Sequence, residues 1–312
     1  MKTSNWTQVS EFVFLGITED PKLQLPLFLF FLLVYVVTLL CNTGIIILVW
    51  LKHCLHTPMY FLLCTLSFVD ICLSSITVPI MLSNFLSTKK IISFRGCVAQ
   101  MFLLFAIGST EVFLLAVMAY DRYTAICNPL LYPVIMSNQA CIYLLVRICI
   151  IAVVNAVTQT VCTFTLRFCK SNIITHFCCE IHPILKLACS DTTWNEVVLS
   201  LVAGGLIMVS VSCILVSYAS IISAILKIHS TEGRWRAFST CSSHLVCVTI
   251  FFGTLVFMYG MPNTKHSMAK DRAVSVLYMV IIPMLNPLIY SLRNQEIKGA
   301  LVTGFRKACF SR

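Results

Sequence analysis

Runs of predominantly apolar residues recur along this chain with short polar segments between them. We place them at about Leu25–Trp50, Pro58–Leu82, Cys97–Tyr120, Ala140–Leu166, Val197–Leu226, Phe238–Gly260 and Arg272–Leu292. A helix of about 20 apolar residues crosses the hydrocarbon core of a bilayer, so each run predicts one membrane-spanning helix. Seven such helices leave too little chain for a separate soluble domain. The expectation is an all-α membrane protein, a seven-helix bundle forming one domain over residues 1–312, with tails at 1–24 and 293–312. Composition agrees: 59% of residues are hydrophobic and 11% charged, whereas soluble domains carry roughly 25% charged residues. The first residues do not read as a cleaved signal, because Glu11, Glu19 and Asp20 interrupt any apolar core, so the first helix is expected to direct its own insertion.

Polar residues inside apolar runs are costly and are read as functional. Asn42 lies in the first run, Asp70 in the second, Glu111 in the third and Asn286 in the seventh. Ten residues separate Glu111 from Asp121, about 15 Å along a helix, so these four side chains can share one depth. Pro287 follows Asn286 directly; without an N–H it must bend its helix, and Asn286 can satisfy groups the bend frees. The third run closes on Met118-Ala119-Tyr120-Asp121-Arg122-Tyr123, an acid, a base and a tyrosine at a membrane boundary. Thr57 can cap the second helix, with Pro58 suited to its first turn.

That third-run ending continues as Thr124-Ala125-Ile126-Cys127-Asn128-Pro129-Leu130-Leu131-Tyr132-Pro133. Before it stands Leu55-His56-Thr57-Pro58-Met59-Tyr60-Phe61-Leu62-Leu63. After it come Ala237-Phe238-Ser239-Thr240-Cys241-Ser242-Ser243-His244-Leu245 and Pro283-Met284-Leu285-Asn286-Pro287-Leu288-Ile289-Tyr290. In this order the motifs resemble the olfactory subfamily of rhodopsin-like G-protein-coupled receptors, over nearly the whole chain. Departures are Cys41 before Asn42, Thr124 after the Asp-Arg-Tyr, Arg147 and Cys149 in the fourth run, Arg236 before Ala237, and Phe252 where tyrosine is common.

The resemblance implies a receptor that binds small volatile organic molecules and activates a stimulatory, olfactory-type heterotrimeric G protein, raising cyclic AMP. It implies a plasma-membrane location, in sensory cilia. Asp121, Arg122, Tyr123, Tyr218, His244, Asn286, Pro287 and Tyr290 would form the coupling and switch set. Cys97 would pair with Cys179 and Cys169 with Cys189, leaving Cys178 unpaired; cysteine spacing alone leaves the connectivity open. Receptors of this class often hold a sodium ion near residues such as Asp70 and Glu111; a water-filled polar network is the equal alternative. Otherwise no cofactor is expected. His176, Cys179, Glu180 and His182 make a candidate metal set, but a disulfide at Cys179 removes its thiolate, so no metal is expected either.

The amino terminus is read as extracellular and the carboxyl terminus as cytoplasmic. Lysines and arginines divide almost evenly between the two faces and do not orient the chain. The acceptor Asn5-Trp6-Thr7 and the loop cysteines do, since glycans and disulfides belong to the lumen. The net charge of +10 says little about nucleic acid because the bases are split across both faces; membrane lipid, not nucleic acid, is the expected partner. For the ligand, Leu104, Phe105, Gly108 and Ser109 recur at helical spacing on the outer side of Glu111. Phe252, Leu255, Val256 and Tyr259 form a similar stripe in the sixth run, and by analogy Val202, Leu206 and Val276 complete the wall. Such a lining, apolar with hydroxyls at Ser109 and Tyr259, suits a small odorant with one oxygen function. A transporter would show an internal repeat or several charged spans, and neither is present. A membrane enzyme would need a converging nucleophile and base, and only the outer-loop cluster offers one.

Overall fold

The computed structural model describes residues 9–18, 20–169, 171–259 and 268–293. Asn5, the basic segment after Arg293, and Cys309 lie outside the described residues, as does the side chain of Tyr259. Among the described residues, seven helices long and apolar enough to cross a membrane account for the runs: one Pro21–Leu51, two Pro58–Leu86, three Phe94–Cys127, four Asn138–Phe164, five Thr193–Lys227, six Thr231–Met258 and seven Lys270–Ser291. Most extend past the apolar runs that announce them, because capping residues sit in the flanking polar segments. Ser93 accepts from the Gly96 N–H ahead of helix three, and Ser137 from the Ala140 N–H ahead of helix four. Ser230 accepts from the Gly233 N–H at 3.2 Å, so helix six begins well before Phe238 and shortens the connection expected from the sequence. Thr57 is the cap residue of helix two, but its side chain makes no capping bond.

Helix three runs through the middle, packed on helices two, four, five and six. Its interior face buries Leu114, Leu115, Met118 and Ala119, which join one large apolar cluster with Leu66, Leu73, Phe251 and Tyr290. Leu40, Ile150, Val154, Leu215 and Val216 are exposed on the bundle exterior, an apolar coat fitted to lipid.

In a bilayer each backbone group left unpaired must be satisfied within the protein. Pro287 lacks the N–H that a helix would direct at the carbonyl four residues back, that of Pro283. Asn42 of helix one supplies the missing donor: its Nδ2 lies 3.0 Å from the Pro283 oxygen. One buried amide thus joins helix one to the bend in helix seven.

At the end of the bundle where helix three begins, three strands form a small sheet of order β2-β1-β3: β1 is Glu11–Phe14, β2 Ile91–Ser93 and β3 Ile173–Ile174. β1 pairs antiparallel with β2 and parallel with β3. Its alternation buries Phe12 and Phe14, with Phe12 stacked 6.0 Å from Phe94 and edge-on to Phe168. In the sequence this tail reads as polar and its strand is hidden, because four residues are too few to register against the long apolar runs. Arg272 at the start of helix seven donates to the Gly16 carbonyl at 2.8 Å, and Gly16 takes φ +77° to make the turn.

Two disulfides secure the same end, Cys97–Cys179 with Cα atoms 5.5 Å apart and Cys169–Cys189 at 5.8 Å; Cys178 is a buried free thiol. Cys97–Cys179 closes a separation of 82 residues, which by chain entropy constrains the unfolded state by about 4–5 kcal/mol. Cys97→Ser should therefore leave the chain retained inside transfected cells. Surface staining at the wild-type level would contradict this, as would peptide mapping that finds both thiols free in the mature protein.

Candidate functional site

Beneath that disulfide lies a cavity whose atom-free space, counted together with the solvent at its mouth, is about 650 Å³. Helix three contributes Leu104, Phe105, Gly108, Ser109 and Val112. Helix four adds Asn155, helix five Ala203, Leu206 and Ile207, helix six Leu255, and helix seven Tyr278 and Met279. Cys179, Glu180 and Ile181 of the loop between helices four and five complete its lining. The walls are largely hydrocarbon and sulfur, with polar groups at few points. Asn155 donates from Nδ2 to Ser109 Oγ at 2.8 Å, and Ser275 donates to Glu180 Oε2 at 2.9 Å. Burial pushes the Glu180 carboxyl up to about 7; the Ser275 bond opposes this and Asp271 adds to it. His176, 3.2 Å from the same carboxylate, is pushed down to about 3, chiefly by burial and then by Arg272.

Gly108 of helix three faces the Tyr278 hydroxyl of helix seven. A Cβ built there would lie 2.6 Å from the Tyr278 hydroxyl. Its missing side chain thus admits a neighbour's side chain, where spacing alone suggests room for a ligand.

Toward the opposite end, Asn286 donates to both oxygens of Asp70 at 3.2 Å. Glu111 is fully buried at this level, and neither of its oxygens has a hydrogen-bond partner in the structure. Asn42 Oδ1 is likewise buried without one. These acceptors fit a cation or ordered water. Next along helix three, the His244 ring ties three helices together. Its Nε2 donates to the Leu115 carbonyl at 3.1 Å, which leaves Nδ1 to accept from the Tyr218 hydroxyl at 2.7 Å. Asp121 and Arg122 are buried where helix three ends, and Asp121 Oδ1 accepts from Tyr132 at 2.9 Å. Tyr290 is buried against Cys247, while Tyr123 is only partly covered.

A family model described as "Olfactory receptor" matches residues 31–307. The chain belongs to the olfactory receptor family. Olfactory receptor 5G9 of Mus musculus is 51% identical over 308 residues, covering 99% of this chain and 98% of the relative. Olfactory receptor 8U9 of Homo sapiens is 49% identical over 301 residues, covering 96% and 97%. Olfactory receptor 8G50 of Mus musculus is 49% identical over 310 residues, covering 99% of each. Membership implies odorant sensing through G-protein coupling, and makes this a multi-pass plasma-membrane receptor rather than an enzyme.

Of the lining expected from the sequence, the receptor brings together Leu104, Phe105, Gly108, Ser109, Leu206 and Leu255. It does not bring in Val202, Phe252, Val256 or Val276. Val256 is 60% exposed and points outward, and Phe252 packs edge-on against Phe251 instead. The other two misses share a cause. Helix five contains a π segment at Leu199–Ala203 and helix seven another at Leu277–Ile281. An extra residue in one turn rotates the adjoining turns about the helix axis, so Ala203 and Ile207, and Tyr278 and Met279, face the cavity in place of Val202 and Val276. Nothing in a regular helical repeat announces such a segment. Asn155 does carry a signal in the sequence, a buried amide in an apolar run.

Adding a methyl group at Gly108 should force Tyr278 aside, and overpacking of this kind costs about 1–3 kcal/mol. Gly108→Ala should lower the thermal midpoint of the purified receptor, and should do so less in a Tyr278→Phe background, where the clashing hydroxyl is gone. Equal losses in both backgrounds would contradict the contact.

Proposed function

We propose that this receptor is a single domain oriented with its disulfides outside, and that it recognises a small, largely apolar odorant in the cavity under the loop between helices four and five. The observation that carries the reading is a largely apolar cavity with the Ser109–Asn155 pair set in its wall. Such a wall offers dispersion contacts to a hydrocarbon body and one hydrogen-bonding point to an oxygen. The disulfides and the Asn5 acceptor favour the outward orientation, with Asn5 as the glycosylation site. Asp121, Arg122 and Tyr123 then face the cytoplasm, where a stimulatory olfactory-type G protein would dock and raise cyclic AMP in sensory cilia.

Between the two ends, the bonds from His244 to Tyr218 and Leu115 and from Asn286 to Asp70 form the element an odorant would bias. Asn42, Pro287 and Tyr290 support it where helix seven bends. The unpartnered oxygens of Glu111, near Asp70, would hold a sodium ion in the resting receptor.

The experiment is an odorant panel on transfected cells with cyclic AMP as readout. For an agonist so found, Ser109→Ala should raise the half-maximal concentration roughly threefold to tenfold, the equivalent of one neutral hydrogen bond, with surface expression unchanged. An unshifted curve would remove Ser109 from recognition. Arg122→Ala should reach the surface and give no cyclic AMP; normal signalling from it would refute the coupling assignment.

A further inference from the structure

Helix four carries a charge where hydrocarbon is expected. Arg147 stands nine residues past Asn138, the first residue of that helix, about 13.5 Å along its axis, and it is exposed on the bundle exterior. Around it Val146, Ile150 and Val154 are exposed as well, part of the apolar coat. The other lysines and arginines of the spans lie closer to a helix end. A charged side chain turned toward lipid is costly and calls for a counter-charge.

The protein does not supply that counter-charge. Among the described residues no carboxylate forms an ion pair with Arg147. Of the acidic residues in the spans, Asp70, Glu111 and Asp121 are buried inside the bundle, and Glu196, Glu232 and Asp271 lie in the first turns of their helices. A second copy of the chain packed on this face would therefore offer no lipid-facing carboxylate within the hydrocarbon. The anion left to meet the guanidinium is a lipid phosphate, whose geometry its fork of donors fits. Side chains of a helix lean toward its amino-terminal end, and helix four begins just after Tyr132, at the Asp121 end of the bundle. One turn nearer that end Tyr143 is 67% exposed on the same face, so a phenol and a guanidinium lean the same way. Helix four has 27 residues, about 40 Å against a hydrocarbon core of about 30 Å. If the helix is centred, the Arg147 backbone lies about 8 Å below the hydrocarbon surface, a depth that a long side chain bridges by snorkelling.

We infer that Tyr143 and Arg147 form a headgroup site for one anionic phospholipid, its phosphate between phenol and guanidinium and its acyl chains along Val146, Ile150 and Val154. A zwitterionic headgroup brings its own cation to the same phosphate, whereas a headgroup of net negative charge leaves the pair with Arg147 neutral. Further along the same helix Asn155 holds Ser109 in the cavity wall, so the lipid would anchor the helix that carries the cavity's polar point. The leaflet is the cytoplasmic one on the orientation proposed above, and the site itself does not depend on that orientation.

The test is native mass spectrometry of the purified full-length receptor in detergent, titrated with phosphatidylserine and, separately, with phosphatidylcholine. The first phosphatidylserine should bind more tightly than the first phosphatidylcholine. Arg147→Gln should weaken that first phosphatidylserine about tenfold or more, as expected for a charge-assisted contact, and should erase the preference between the two lipids. Arg147→Lys, which keeps the charge without the fork, should fall between. Tyr143→Phe should cost roughly threefold, one neutral donor. Arg147→Gln replaces a lipid-facing charge by a neutral group and leaves the packed core untouched, so its folding is not at risk. Basic residues after Arg293 also attract phosphatidylserine, but they are common to every variant and cannot produce the difference. Equal affinity of wild type and Arg147→Gln for phosphatidylserine would overturn the proposal. Equal affinity of the wild type for the two lipids would overturn it too, leaving Arg147 as a side chain that merely snorkels to water. The spectra are read without agonist, so neither result bears on the odorant site.

Discussion

The disulfide between Cys97 and Cys179 is the constraint on which the functional end of this receptor depends. It fastens the loop between helices four and five to the start of helix three. Cys179, Glu180 and Ile181 are thereby held down as part of the cavity's lining, while β3 is held against β1 in the small sheet. Gln100 of helix three adds to the fastening, its side-chain oxygen accepting from the Cys179 N–H at 2.9 Å. A loop free to swing would expose Phe12, Phe14 and Phe177, all buried beneath the sheet and loop. Covalent fastening and apolar burial thus act together, and the cavity is their product.

A second constraint works deeper in the bundle, where water is scarce and each polar group must find a partner in the protein. The partners are drawn from other helices: Asn42 for a carbonyl of helix seven, Asn286 for Asp70, His244 for a carbonyl of helix three and a hydroxyl of helix five. Each bond joins helices that could otherwise slide on apolar surfaces. At the Arg122 end, Tyr132 adds one more such bond, donating to Asp121 at 2.9 Å.

The seven helices and their order were legible because burial in lipid demands long uninterrupted apolar runs, which leave a strong trace. The polar residues of the core were legible for the opposite reason: Asn42, Asp70, Glu111 and Asn286 stand out against hydrocarbon. The cavity was legible only in part. Helix three is regular through this region, and its stripe of Leu104, Phe105, Gly108 and Ser109 lines the cavity as spacing predicts. Helices five and seven carry π segments that rotate their faces, so Val202 and Val276 gave way to neighbours one to three positions on. Helix six failed differently, because a bundle helix is apolar toward lipid as well as toward its core, and composition cannot separate Leu255 from Val256. The loop residues Glu180 and Ile181 were invisible as lining, since only the folded disulfide brings them there.

The proposed odorant site lies beneath that loop, between helices three and seven. The most direct measurement is an electron cryo-microscopy map of the receptor bound to a panel-identified agonist and its G protein. Ligand density touching Gly108, Leu255 and Tyr278 is expected, with Glu180 in the wall around it. Density lying instead in the lipid-facing groove between helices three and four, against Phe102 and Val157, would contradict the placement.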